Sequence, residues 1–171
     1  DTSNYGAVDI AMGKEKGDYS VIVSGAVNNE TGTIYVYDAF MERCHPDVLI
    51  DEVVTHTFEN EYEGLAVEAQ AAQEFIADKM TDELQAKGYP AHTRLKHIKH
   101  RTRKELRIEA MLPIIENKTL QFSRSHSLLL EQFERYGQGG ADDLPDSLEM
   151  AISATNEGET VVRTVKRMNR W

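Results

Sequence analysis

A single carboxylate, Asp9, interrupts an otherwise apolar stretch at residues 5–12. An apolar run of this length, followed by a Gly-containing turn and a second β-branched run, is typical of a strand buried on both faces. A charged carboxylate in such a strand costs several kcal/mol to desolvate unless something compensates it. Asp9 is therefore either a salt-bridged or capping residue or a metal ligand, and the ligand hypothesis requires partner acids.

One candidate partner is Glu68, which follows the apolar residues 65–67 at the point where a second buried strand runs into a loop. If this strand pairs in parallel with the strand that carries Asp9, both carboxylates project near the same end of the sheet. Whether Asp9 and Glu68 lie close together therefore depends on the parallel pairing of these two strands.

Further acids, Asp142, Asp143 and Asp146, lie at the start of the last predicted helix. Asp143 and Asp146 are three residues apart and share a helix face, as do Asp142 and Asp146, which are four apart. Asp142 and Asp143 suit capping of free N–H groups and the helix dipole. Asp146 is harder to explain as a cap, because it follows Pro145 inside the first turn.

Carboxylates gathered in a low dielectric raise one another's pKa unless cations neutralise them. Oxygen ligands with open coordination positions suit Mg²⁺ or Mn²⁺. Two such ions about 3.5–4 Å apart can activate a water and stabilise the leaving 3′ oxygen in phosphodiester cleavage. His97 and His100 have no Cys or acidic partner at ligand spacing, so the sequence offers no zinc site.

The charge distribution bears on nucleic-acid binding. The charge of the whole chain argues against nucleic-acid binding, since the net charge is −10 and the pI is near 5.1. However, a basic strip occupies the segment from 94 to 107, and a second basic run lies within residues 163–170. The basic strip consists of Arg94, Lys96, Lys99, Arg101, Arg103, Lys104 and Arg107. Such a strip either grips phosphates or is a solvated face.

The length and the composition of the chain are those of one globular domain. With 171 residues, 40% hydrophobic and 28% charged, the chain is large enough for a sizeable core. No apolar run approaches the roughly 18 residues that a membrane span needs, and no signal peptide is visible. Cys44 is the only cysteine, which excludes an internal disulfide and favours a reducing cytoplasm. Because the chain begins with Asp1 and enters its first strand at once, we expect a domain cut from a longer polypeptide.

The order of predicted elements indicates a mixed sheet. Three strands joined by short turns form an antiparallel meander, and strand–helix alternation follows. After the first strand, strands are predicted at 19–27, 33–40, 64–68, 91–98 and 119–122. Helices are predicted at 46–60, 71–87, 127–136 and 142–156, and a further helix follows the basic segment, with its apolar positions between 108 and 115 and a kink at Pro113. Function in such sheets collects at the carboxyl ends of central strands.

Several motifs together resemble the nuclease domain of phage large terminases. These are Val-Asp-Ile-Ala-Met-Gly at 8–13 with Gly-Asp-Tyr-Ser at 17–20, Leu-Ala-Val-Glu at 65–68, Arg-Lys-Glu-Leu-Arg-Ile-Glu-Ala-Met-Leu-Pro-Ile-Ile-Glu-Asn at 103–117, Leu-Gln-Phe at 120–122, and Gly-Gly-Ala-Asp-Asp-Leu-Pro-Asp-Ser-Leu at 139–148. The resemblance covers nearly the whole chain, and its second half is the more specific. Ala141 and Ser147 depart from the family pattern, in which His and Ala are usual at these positions.

The resemblance implies an α/β, RNase H-like fold related to RuvC-type resolvases, with a central five-stranded mixed sheet flanked by helices. It implies one nuclease domain over residues 1–171, with a basic C-terminal tail at 157–171. The ATPase domain of the same polypeptide would lie before Asp1. It further implies that Asp9, Glu68 and Asp146 are catalytic metal ligands, with Asp143 or Asp142 as a fourth acid.

The leading hypothesis is a Mg²⁺- or Mn²⁺-dependent endonuclease that cuts concatemeric viral double-stranded DNA during genome packaging by a two-metal-ion mechanism. The basic strip would hold the duplex, with Lys104 and Arg107 nearest the acids. Expected partners are the ATPase domain, the small terminase subunit and the portal protein. The isolated domain is expected to be a monomer that acts in the cytoplasm of a bacterial host, with no membrane partner.

Two alternatives stay open. One is a structure-selective, RuvC-like junction resolvase of the same fold. The other is a non-catalytic docking module of the packaging motor, whose acids are structural.

Overall fold

The computed structural model describes residues 1–11, 19–99, 103–138 and 143–156, and only the backbone of residues 143 and 154–156. Its sheet contains β1 (Thr2–Asp9), β2 (Ser20–Asn28), β3 (Ile34–Glu42), β4 (Gly64–Glu68), β5 (Leu95–Ile98) and β6 (Leu120–Phe122). The helices are α1 (Pro46–Glu59), α2 (Glu74–Ala86), α3 (Ala91–Arg94), α4 (Lys104–Glu109), α5 (Leu112–Glu116), α6 (Ser127–Glu134) and α7 (Asp143–Asn156). None of the helices in these ranges is long and apolar enough to cross a membrane.

The strands form one mixed sheet in the order β5-β4-β1-β2-β3-β6. β1, β2 and β3 are the predicted antiparallel meander, and β4 pairs in parallel with β1. β5 and β6 extend the two edges in parallel with β4 and β3, respectively. The predicted fold class is confirmed, except that the sheet has six strands instead of five. The additional strand, β6, is the short segment that the sequence marks as strand-like.

Helices cover both faces of this sheet. On one face α1 and α2 bury side chains such as Leu49 and Met80 against β1 and β4. On the other face α4, α6 and α7 bury Ile108, Leu129 and Leu148 against the same central strands. Because helices cover both faces, β1 and β4 contribute core residues to both sides, which explains their nearly continuous apolar sequences.

One predicted strand begins too early. Residues 91–98 were expected to be extended, but the first four form α3 and only Leu95–Ile98 pairs with β4. The carbonyl of Pro90 accepts hydrogen bonds from the backbone N–H groups of Thr93 and Arg94 and from the Thr93 hydroxyl. These local bonds favour a helical turn over extension of the strand.

Candidate metal centre

The first two acids meet because β1 and β4 are in register at their carboxyl ends. Asp9 is the last residue of β1 and lies opposite Glu68, the last residue of β4. Side chains alternate along each strand. Since Val8 and Val67 face α1 and α2, Asp9 and Glu68 both project towards the opposite face, which α7 covers. The parallel pairing that the sequence required is therefore present.

The third acid comes from α7. Asp146 lies in the first turn of this helix and is 7% exposed. One carboxylate oxygen from each of Asp9, Glu68 and Asp146 lies within 4.8 Å of the other two. Two ligands on opposite sides of an octahedral Mg²⁺ are about 4.2 Å apart, given Mg–O bonds of about 2.1 Å. The spacing of the three oxygens therefore suits a small divalent cation.

Two cations of α4 partly balance the negative charge. Arg107 Nη2 lies 2.7 Å from Asp146 Oδ1, and Lys104 Nζ lies 3.6 Å from Asp146 Oδ2. The Arg107 contact is a close ion pair without hydrogen-bond alignment, and buried Oδ1 accepts no hydrogen bond from the described residues. Buried carboxylate oxygens usually have such a partner. An incompletely satisfied oxygen beside two further acids is a donor set that fits an oxygen-preferring divalent ion.

The far side of the Arg107 guanidinium is also occupied. Its Nη1 donates a 2.8 Å hydrogen bond to Glu149 Oε2, and the Ser153 hydroxyl donates to Glu149 Oε1 at 2.6 Å. Glu149 follows Asp146 by three residues on α7, so both acids face α4. The arrangement fixes Arg107 between two carboxylates of one helix. Sequence reasoning did not single out Glu149, although its spacing from Asp146 was a usable signal.

An open cleft of about 350 Å³ lies at the carboxyl ends of β1 and β4. The acids and the two cations form part of its wall. Its remaining lining residues are Ile10, Ala11, Tyr19, Gln70 and Gln73. Gln70 and Gln73 were also missed from the sequence, although they follow Glu68 within a turn. The cleft is accessible to a ligand much larger than a metal ion.

The basic strip is not one continuous surface. Arg94 precedes β5, at the opposite end of the sheet from the acids, and with Lys96 it lines a separate cleft of about 160 Å³. Two further members form ion pairs with acids: Lys99 Nζ lies 3.0 Å from Glu74 Oε1, and Arg103 Nε lies 3.6 Å from Glu105 Oε2. Of the described members of the strip, Lys104 and Arg107 line the metal cleft.

Some predicted site residues lie outside the described parts of the chain. These are Arg101, Asp142 and the basic tail at 157–171, together with the side chain of Asp143. The identity of a fourth acid therefore stays a prediction.

No protein-family model matches the sequence, and no curated protein matches it significantly. Solved structures do match. The manganese-soaked, inhibitor-bound terminase nuclease domain of human cytomegalovirus superposes with a TM-score of 0.62 at 13% identity, covering 90% of this chain and 82% of that one. The large terminase nuclease of thermophilic phage G20c gives a TM-score of 0.58 at 16% identity, with the same coverages.

The chain has the fold of a large-terminase nuclease domain. The predicted structural resemblance is thereby confirmed, and the fold is RNase H-like. The fowlpox virus Holliday junction resolvase shares it, with a TM-score of 0.57 at 14% identity over 90% of this chain and 98% of that one. At these identities the likeness establishes the fold, and activity has to be argued from the site.

Proposed function

We propose that this chain is a divalent-metal-dependent DNA endonuclease of the large-terminase kind. The observation that carries the proposal is the convergence of Asp9, Glu68 and Asp146 within 4.8 Å, at the end of the sheet where α/β proteins place their sites. The similarity in fold to the cytomegalovirus and G20c nucleases supports the same conclusion.

The three acids would hold two ions, Mg²⁺ or Mn²⁺. Asp9 with Glu68 would ligate one, and Asp9 with Asp146 the other. Bound ions of this kind supply an activated water and neutralise charge on the leaving oxygen. The contribution of the chain is to fix the three carboxylates on two paired strands and a packed helix.

Arg107 and Lys104 would then act on different groups. Arg107 is held on both sides by Asp146 and Glu149 and is 10% exposed at its side chain, so its role is to orient Asp146. Lys104 is 29% exposed at its side chain and only 3.6 Å from Asp146, which places its ammonium at the cleft surface. Lys104 is therefore suited to contact a phosphate that enters the cleft.

Contacts to phosphates position DNA without reading its sequence. We therefore expect cleavage to be nearly sequence-independent and to weaken steeply with salt. In the packaging context, this chain would be the nuclease domain of a longer terminase polypeptide in the cytoplasm of a bacterial host. It would act with the ATPase domain, the small terminase subunit and the portal protein, and as an isolated domain it would be a monomer.

The test is digestion of supercoiled plasmid in Mn²⁺ or Mg²⁺. The parent protein should nick and linearise the plasmid, and Asp9→Asn or Asp146→Asn should reduce the rate at least about 100-fold, because each removes an ion ligand. Asp82→Asn, which neutralises an exposed acid of α2, is the matched control and should cut like the parent. Equal rates for all variants would contradict the proposal, and failure to bind any divalent ion would favour the docking module.

A second candidate is a junction resolvase. The observation that favours it is the similarity to the fowlpox virus resolvase, which extends over 98% of that chain. This candidate predicts a stable dimer that cuts a four-way junction faster than linear duplex. Side-by-side cleavage of the two substrates by one preparation distinguishes the candidates.

A further inference from the structure

We infer that Arg43, stacked on Tyr19, binds a backbone phosphate of the DNA strand that lies in the metal cleft. This inference rests on the proposed function and adds a contact from the meander side of the sheet. The sequence predicted DNA contacts only from the basic strip at 94–107.

Strand geometry brings Arg43 to the cleft. Tyr19 directly precedes β2, and Arg43 directly follows the β3 residue that pairs with Ser20. Tyr19 packs against the same face of the sheet that carries Asp9 and Glu68, and it lines the cleft with them. The Arg43 guanidinium carbon lies 4.5 Å from the centre of the Tyr19 ring. Arg43 is thus attached to a wall of the metal cleft.

Arg43 differs from three other cationic residues of this region in its ion pairs with carboxylates. Lys99 pairs with Glu74, while Lys104 and Arg107 both contact Asp146. The Arg43 side chain is exposed, and no carboxylate in the described ranges lies within 4.0 Å of its nitrogens. Within those ranges its positive charge is therefore not neutralised by an ion pair.

Stacking prepares this guanidinium for an anion. A cation over an aromatic face loses part of its side-chain freedom before any ligand arrives, and its N–H groups project from the edge of the plane. That edge matches two oxygens of a phosphate. Lysine lacks both the plane and the fork, so Lys at this position would provide charge without the geometry.

The position also indicates which phosphate is bound. β3 lies two strands from β1, which is about 10 Å at about 4.8 Å per strand. One DNA strand rises about 3.4 Å per nucleotide. We therefore expect Arg43 to contact a phosphate about three nucleotides from the one at Asp9.

The test measures binding of a short fluorescent duplex by anisotropy from 50 to 300 mM KCl in CaCl₂, with gels confirming that the duplex stays intact. Arg43→Gln should weaken binding about five- to tenfold at 100 mM salt and reduce the slope of log K against log salt by about one. Arg43→Lys should keep the slope but bind more weakly than the parent. Tyr19→Leu should weaken binding, and Tyr19→Phe should not.

Lys87→Gln is the control, since it removes one positive charge at the C-terminal end of α2, and it should leave the slope unchanged. A purely structural role for Arg43 would leave the slope of Arg43→Gln at the parent value, which would overturn the inference. Absence of duplex binding by the parent would overturn the inference together with the nuclease proposal. Binding with the expected slopes but no cleavage in Mn²⁺ would support the phosphate contact and overturn only the nuclease activity.

Discussion

Arg107 and Asp146 illustrate how a metal ligand is kept in place before its ion arrives. Both side chains are about nine-tenths buried, and Glu149, on the far side of the guanidinium, is 15% exposed at its side chain. Breaking a buried pair by removing one partner leaves the other charge uncompensated, and typically costs 3–5 kcal/mol. The two carboxylates share one guanidinium, with Lys104 also near Asp146 and the Ser153 hydroxyl also donating to Glu149.

We therefore expect Arg107→Ala to lower the free energy of unfolding by about 3 kcal/mol or more. The matched control is Arg135→Ala, which removes an exposed pair with Glu131 on α6 and should change stability by at most about 0.5 kcal/mol. Urea denaturation without divalent ions measures both. Similar small losses in the two variants would show that Arg107 does not stabilise the buried acids.

Asp9, Glu68 and Asp146 could be proposed from the sequence because each is an acid at the end of an apolar strand or in the first turn of a predicted helix. The roles of Glu149 and Arg43 depend on contacts that the sequence alone does not show. Glu149 matters through Arg107, which reaches it only because α4 packs on α7. Arg43 matters through its stacking on Tyr19, a contact between two residues that flank the adjacent ends of β2 and β3.

At the scale of elements, the approach of the α1–β4 connection to the sheet depends on Gly6. A Cβ at this position of β1 would collide with the ring of Tyr62, which is buried in that connection. The Tyr62 hydroxyl and the Ser24 hydroxyl of β2 form a buried hydrogen bond. The ring thus links β1, β2 and the residues that lead into β4.

Tyr62→Phe should destabilise the fold by about 1–2 kcal/mol, because it leaves the buried Ser24 hydroxyl without its partner. Ser24→Ala should have a similar effect, and the double variant should lose less than the sum of the two. Tyr89→Phe is the matched comparison. Its hydroxyl is buried without a hydrogen-bond partner among the described residues, so its removal should be neutral or stabilising. Thermal unfolding of the four variants tests this, and additive losses at Tyr62 and Ser24 would contradict the coupling.

Most elements could be predicted because their apolar periodicity and their helix ends are local signals. β4 and the start of α1 at Pro46 lie where the sequence placed them. α3 could not be predicted, because hydrogen bonds to the Pro90 carbonyl override the extended pattern. The pairing of β6 with β3 also lies beyond local signals, since a three-residue strand gains its partner only in the assembled sheet.

For the whole molecule, buried tyrosines make the fold sensitive to alkali. Burial raises the pKa of Tyr89 from 10.0 to about 12, and it also raises the pKa of Tyr62. In the unfolded chain these hydroxyls ionise near pH 10, while in the folded protein they stay protonated. Their contribution to stability is therefore fully present below pH 10 and is lost as the pH rises towards 12.

We expect urea midpoints to fall between about pH 10 and 12, and the fall to be shallower in Tyr89→Phe. Below pH 10 the parent and this variant should show the same pH dependence, which serves as an internal control. A parent midpoint that does not change up to pH 12 would contradict this prediction.

The proposed activity depends on one electrostatic property, which is that three distant segments bring their carboxylates into a pocket suited to divalent cations. The most direct measurement is anomalous diffraction from crystals soaked in Mn²⁺. We expect manganese density between Asp9, Glu68 and Asp146, at about 2.1–2.3 Å from their oxygens, and its loss in Asp146→Asn. Crystals soaked in millimolar Mn²⁺ that show no peak among these acids would contradict the proposal.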